Sequence, residues 1–172
     1  GVVVFNWHPV LMVAGMLVGL TNGVLSFRRP LERTTNKAMH AFWFIAAIVA
    51  MSIGLKAVWK SHDDKKPYKA NLYTLHSMIG LAAVVLVSQN FVLGMLNFVS
   101  PLMSDMVKKV YKPNHIFLGI CALVMAVMAI VTGSASLPYP HVIASFLTFL
   151  LDFCLGLKVC KRRMDSAHVG IR

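Results

Sequence analysis

Residues Leu72 to Phe98 read LYTLHSMIGLAAVVLVSQNFVLGMLNF, an apolar stretch long enough to cross a hydrocarbon core of about 30 Å as a helix. His76 stands near its start. Gly80, Ala83 and Gly94 follow at angles that put them on roughly the histidine's side of a helix. Four further stretches of this kind lie at about 4 to 26, 38 to 59, 114 to 133 and 140 to 158. The first three of them repeat the pattern: His8 leads to Gly15, Gly19 and Gly23, His40 to Ala47 and Gly54, and His115 to Gly119, Ala122, Ala126 and Gly133. The fold expected is all-α, a transmembrane helical bundle of five helices.

Composition agrees with a membrane protein. Of 172 residues, 58% are apolar and 13% charged, too little polar surface to solvate a globule of this size. No linker or low-complexity stretch divides the chain, so residues 1–172 read as a single helical domain. The net charge of +11 does not point to nucleic acid, because the basic residues sit in the short connections between spans. There they report topology. With the chain starting at a face X, the opposite face Y receives 12 of the 17 basic residues and X receives five, which makes Y cytosolic.

Several smaller features fit the same picture. The first residues lack the basic leader of a cleavable signal peptide, and the absence of an initial Met suggests a fragment. Cys121, Cys154 and Cys160 show neither metal spacing nor a disulfide framework; packing is their expected role, with juxtamembrane Cys160 a candidate for palmitoylation. Pro30, Pro101 and Pro113 fall in Y-facing connections or at a helix start, and Pro138 and Pro140 mark an X-facing turn.

Because successive helices alternate in direction, His8 and His76 form a layer near X, and His40 and His115 a layer near Y. Allowing for their distance from the helix ends, the layers are very roughly 15 to 20 Å apart. Small residues in membrane helices ordinarily mean close helix contact. Repeated four times with a histidine attached, they also suit a bulky planar cofactor, ligated by one helix pair and cleared by the other. Haem meets both requirements. Two axial imidazoles per iron leave no vacancy for oxygen, so such centres pass electrons and do not bind gas. The competing reading of an intramembrane histidine is a hydrogen-bonded core residue or a proton-relay member. His62, His141 and His168 lie in connections or the tail and read as solvated surface, with no cysteine or carboxylate cluster to complete a zinc site. Asp152 is an acid inside the fifth helix, either reaching the Y interface or taking part in proton coupling.

The segments around the four histidines resemble the cytochrome b561 family of transmembrane di-haem, ascorbate-dependent oxidoreductases. The likeness runs through FNWHP at Phe5 to Pro9, RTTNKAMH at Arg33 to His40, NLYTLHS at Asn71 to Ser77 and YKPNHIFLG at Tyr111 to Gly119. It spans the first four helices, about three quarters of the chain. The resemblance implies a four-helix core holding two b-type haems, with His8 and His76 ligating one iron and His40 and His115 the other. Six helices are usual in the family, so the first is the one this chain lacks.

The resemblance further implies that cytosolic ascorbate donates an electron to the nearer haem and that ferric iron, as a chelate, or monodehydroascorbate accepts it on the other side. Arg28, Arg33, Lys37, Lys108, Lys109 and Lys112 then attract ascorbate at face Y or pair with haem propionates, although anchoring at a positive inner face accounts for such residues equally well. Arg28 and Lys37 match family positions at the haem edge. On face X, Asn71, Tyr73 and Thr74 match a short motif beside the haem edge, and His62 resembles an acceptor-side histidine at a slightly different spacing. A second family histidine is Phe44 here, and the loop after Gly133 is short and lacks the family's glutamate. A homodimer in an endomembrane vesicle or the plasma membrane is also implied. The rival functions are a haem b subunit feeding a protein or quinone partner, and a haem-free histidine-dependent transporter or proton channel.

Overall fold

A computed structural model describes residues 2–67 and 70–135. The expected fifth helix lies outside the described residues, as do Asp152, His141, His168, Cys154, Cys160, Pro138 and Pro140. The described residues are helical with no strand among them. Four helices are long and apolar enough to cross a membrane: α1 (Val4–Arg28), α2 (Arg33–Asp63), α3 (Leu75–Val99) and α4 (Asp105–Ala135). Gly1–Ile130 form one compact unit.

Helices suit this setting because every backbone donor and acceptor is satisfied within its own segment, where no water is present to replace it. Each apolar run nevertheless ends short of its helix. α2 and α4 are both 31 residues long and begin well before the apolar stretches at 38 and 114. Arg33, Lys37, Lys108, Lys109 and Lys112 therefore lie on helices, as do Lys56, Lys60 and His62 at the far end of α2, and not in connections as the composition suggested. Pro113 likewise sits inside α4 and Pro9 inside α1. Two wide π-helical stretches interrupt the regular winding, at Val13–Gly19 in α1 and Met95–Val99 in α3. α3 starts on a capping box, in which the Thr74 hydroxyl accepts from the Ser77 amide and the Ser77 hydroxyl accepts from the Thr74 amide.

Consecutive helices pack as antiparallel hairpins. The start of α1 meets the end of α2, where His8 reaches the Gly54 carbonyl, and the start of α2 meets the end of α1, where His40 reaches that of Gly23. The second hairpin repeats this: His76 near the start of α3 reaches Ala129 near the end of α4, and the ring of His115 lies against Gly94. Between these two levels is the buried core, built of Met12, Met16 and Leu20 from α1, Ala47 and Met51 from α2, Ala83 and Val87 from α3, and Ala122 and Ala126 from α4. The outward faces carry exposed apolar side chains such as Val18, Val49, Val85 and Val124, as helices facing lipid do.

The glycines divide into classes that the sequence pattern merged. A Cβ on Gly15 would lie 2.9 Å from the Ala47 carbonyl oxygen, and one on Gly19 would lie 2.8 Å from Ala47 Cβ. Gly54 faces Met12 and Leu11. These three bring α1 and α2 into contact, the ordinary use of small residues in membrane helices, and the reading of them as clearance for a cofactor is corrected accordingly. Gly23 is pressed against the Phe44 ring and Gly94 against the His115 ring, with a Cβ on Gly94 only 2.9 Å from Cε1. Gly80, by contrast, has nothing nearer than 3.9 Å.

Candidate functional site

Two pairs of imidazoles face each other across the bundle, one at each level. The ring centres of His8 and His76 are 6.2 Å apart, and so are those of His40 and His115. The first pair joins α1 to α3 and the second joins α2 to α4, so each pair ties one hairpin to the other.

Three of the four rings are oriented by backbone. His8 Nδ1–H donates to the Gly54 carbonyl at 3.0 Å, His40 Nδ1–H to Gly23 at 2.8 Å and His76 Nδ1–H to Ala129 at 2.9 Å. A carbonyl only accepts, so the proton must be on Nδ1 and the lone pair on Nε2. That is the arrangement of a metal-ligating histidine. His115 differs: its Nδ1 is buried and has no partner among the described residues.

The spacing can be tested against a metal. A metal–nitrogen bond of about 2 Å, with about 1.1 Å more from nitrogen to ring centre, puts two imidazoles on opposite sides of one ion about 6.2 Å apart. The observed 6.2 Å fits at both levels. Among the described residues no group of three or more His, Cys, Asp or Glu side chains could hold an ion. Each pair thus offers two ligands only, which suits an iron whose other four positions are filled by a macrocycle. Aromatic rings line the Y level: Phe27 and Phe44 stand 5.1 and 4.7 Å from His40, and Phe98 5.2 Å from His115.

The distance between levels follows from the helices. His40 and Gly54 are 14 residues apart on α2, and His115 and Ala129 are 14 apart on α4; at 1.5 Å per residue that is about 21 Å.

At face Y the basic residues have a regular relation to the ligand rings. Arg33 and Lys37 precede His40 by seven and three residues, and Lys108 and Lys112 precede His115 by the same intervals. Those offsets place all four on the histidine faces of α2 and α4, one and two turns toward Y. Lys37 Nζ also donates to the Phe98 carbonyl at 3.4 Å, tying α2 to the end of α3. Lys108 pairs with Asp105 at 3.3 Å, which offsets part of its charge. Lys109 is exposed and turned off this face, while Arg28 is exposed at the end of α1.

On face X the structure separates the candidates. His62 Nδ1 and Asn71 Oδ1 are 2.7 Å apart, so His62 in the last turn of α2 donates to the loop before α3. Thr74 caps α3, and Tyr73 is 87% exposed. Sequence reasoning missed Trp43, Asn90 and Tyr111, whose Nε1, Oδ1 and hydroxyl are buried without a partner among the described residues. Asn90 had a visible signal, since a carboxamide in mid-span is costly and rarely idle.

The family model described as eukaryotic cytochrome b561 matches residues 7–139. The chain belongs to the cytochrome b561 family. The mouse (Mus musculus) lysosomal membrane ascorbate-dependent ferrireductase is 37% identical over 136 residues, covering 77% of this chain and 55% of the relative. A human (Homo sapiens) transmembrane ascorbate-dependent reductase is 35% identical over 131 residues, covering 75% and 51%. A plasma membrane ascorbate-dependent reductase of Xenopus laevis is 31% identical over 124 residues, covering 70% and 43%. This cytochrome b561 chain therefore spans about half the length of the curated relatives it matches. All four histidines fall within the matched residues.

Proposed function

We propose that this chain carries single electrons across a membrane, from ascorbate at a cytosolic face Y to ferric iron or monodehydroascorbate at face X, with one b-type haem between His40 and His115 and another between His8 and His76. The observation carrying this reading is the pair of two-imidazole sites, each with the span of one iron, about 21 Å apart through an apolar core. The relatives named as ascorbate-dependent reductases and a ferrireductase support the donor and one of the acceptors. When bound, haem supplies a one-electron ferric/ferrous couple at each level.

The residues of the chain do the rest. Nδ1 bonds from His8, His40 and His76 fix the rings with Nε2 available and raise their basicity. The methionine, alanine and valine core keeps water and ions out of the space between the levels. Arg33, Lys37, Lys108 and Lys112 give face Y a positive field that concentrates an anionic donor and pairs with carboxylate groups. Trp43 N–H and Tyr111 O–H are buried donors fit to bond haem carboxylates or polar edges. His62 and Asn71, held together at face X, offer polar contact to an acceptor.

An absorption spectrum of the purified full chain before and after ascorbate tests the reading. Two low-spin haems reduced by ascorbate are expected. No haem band would sink it, and haem reducible by dithionite but untouched by ascorbate would favour a subunit fed by a protein or quinone. Charge reversal at Lys37 (Lys37→Glu) is expected to raise the KM for ascorbate on the order of 10-fold, with an increased dependence of the difference on low ionic strength. Steady-state kinetics normalised to bound haem, with the haem-to-protein ratio measured alongside, separate weaker donor binding from loss of haem.

A further inference from the structure

The two hairpins follow one rule that breaks at a single position. Counting from each histidine along its own helix, the residue 14 or 15 positions later is at the other level: Gly23 after His8, Gly54 after His40, Ala129 after His115. Each of these is small, and each backbone carbonyl accepts the Nδ1 hydrogen of the histidine on the neighbouring helix. On α3 the residue 14 positions after His76 is Asn90. It is 5% exposed, and in place of a small residue it brings a carboxamide toward α4.

That carboxamide is committed at one end. Asn90 Nδ2 donates to the His115 backbone carbonyl at 3.1 Å, so the other end, Oδ1, must be the acceptor. Among the described residues Oδ1 is sealed from solvent with no donor, and His115 Nδ1 is sealed from solvent with no acceptor. The same two residues thus hold one unmatched acceptor and one unmatched donor. With iron on Nε2, the Nδ1 of His115 carries a hydrogen and requires a partner. Buried polar groups of this kind are normally matched directly or through an ordered water.

We infer that Asn90 is the positioning residue of His115: its Oδ1 accepts, through one bridging water, the Nδ1 hydrogen bond that the other three histidines make to backbone. The consequence is that one axial ligand in the chain has its basicity set by a side chain, and so by a single mutable residue. The inference rests on the two-haem reading above.

The test uses the full chain with haem bound, carrying Asn90→Leu or Asn90→Gln, and reads the midpoint potential and low-spin electron paramagnetic resonance signal of each centre. A His8→Leu variant, which retains the His40/His115 centre, identifies which signals belong to that centre. Leucine removes the acceptor, lowers the basicity of His115 and disfavours ferric iron, so the His40/His115 centre should become about tenfold easier to reduce, 59 mV for one electron. The His8/His76 centre should not move. Glutamine should recover most of the shift. If Asn90→Leu fails to accumulate with both haems, Asn90→Ser, which keeps an acceptor for water, should give a smaller shift in the same direction at the same centre. Two intact haems with neither moved, or both moved together, overturn the inference alone; a parent protein that binds no haem overturns both it and the function on which it rests.

Discussion

Replacing His115 with leucine is expected to remove one haem of two and leave the other with an unchanged spectrum. His40→Leu should remove the same centre, and the double variant should lose nothing further, because either substitution leaves an iron with one protein ligand. His8→Leu and His76→Leu should together define the second centre. The pairing rests on the two 6.2 Å ring separations, which join His8 to His76 and His40 to His115. Transmembrane reduction of an acceptor trapped in vesicles should fall by roughly 100-fold or more in every case, since losing a group that merely supports a metal ligand already costs 10–100-fold. Either level alone leaves most of a hydrocarbon core about 30 Å thick uncrossed. Haem-to-protein ratios for the four single and two same-pair double variants decide the matter. If His8→Leu and His40→Leu abolished the same centre, the topology of two levels would be wrong.

The histidine pattern was legible in the chain because span length and helical angle are local properties. An apolar run of some 20 residues with His76 near its start has few alternatives, and the direction of each helix follows from counting crossings. The ends of the helices were less legible. Arg33, Lys37, Lys108 and Lys112 read as loop because they are charged, yet a helix leaving the hydrocarbon keeps its internal hydrogen bonds whatever its side chains are. α2 and α4 therefore extend about one and a half and two and a half turns into the polar zone, and this carries the cations onto the ligand faces. Pro113 misled for the same reason: it is tolerated inside α4, near its polar end. Asn90 was visible as a polar residue in mid-span, but its relation to His115 depends on how α3 lies against α4, which no local pattern contains.

The glycines show the limit of pattern reading most plainly, and they yield the second large effect. By spacing, Gly15, Gly19, Gly80 and Gly94 are equivalent members of histidine-linked stripes. In the fold they are not. A Cβ on Gly15 or Gly19 meets Ala47 at 2.9 or 2.8 Å, so Gly15→Ala and Gly19→Ala force α1 away from α2. Overpacking of this sort costs about 1–3 kcal/mol, and it should lower thermal stability while both haems, where retained, keep their spectra. Gly94→Ala acts elsewhere. Its Cβ would come 2.9 Å from Cε1 of His115 and 3.4 Å from Nδ1, so the imidazole itself must tilt or withdraw. Among the described residues that ring has no Nδ1 bond to a backbone carbonyl to hold it. Gly94→Ala should therefore convert the His40/His115 centre to a weakly held or high-spin form, or empty it, while the His8/His76 centre is spared. Gly80→Ala, with 3.9 Å of clearance, should be close to neutral in both respects. Parallel measurement of melting temperature and of each centre's optical spectrum separates the three behaviours. Selective damage from Gly94→Ala would show that this glycine's task is to seat an axial ligand, whereas equal damage from Gly15 and Gly94 would mean that both serve only to bring helices together.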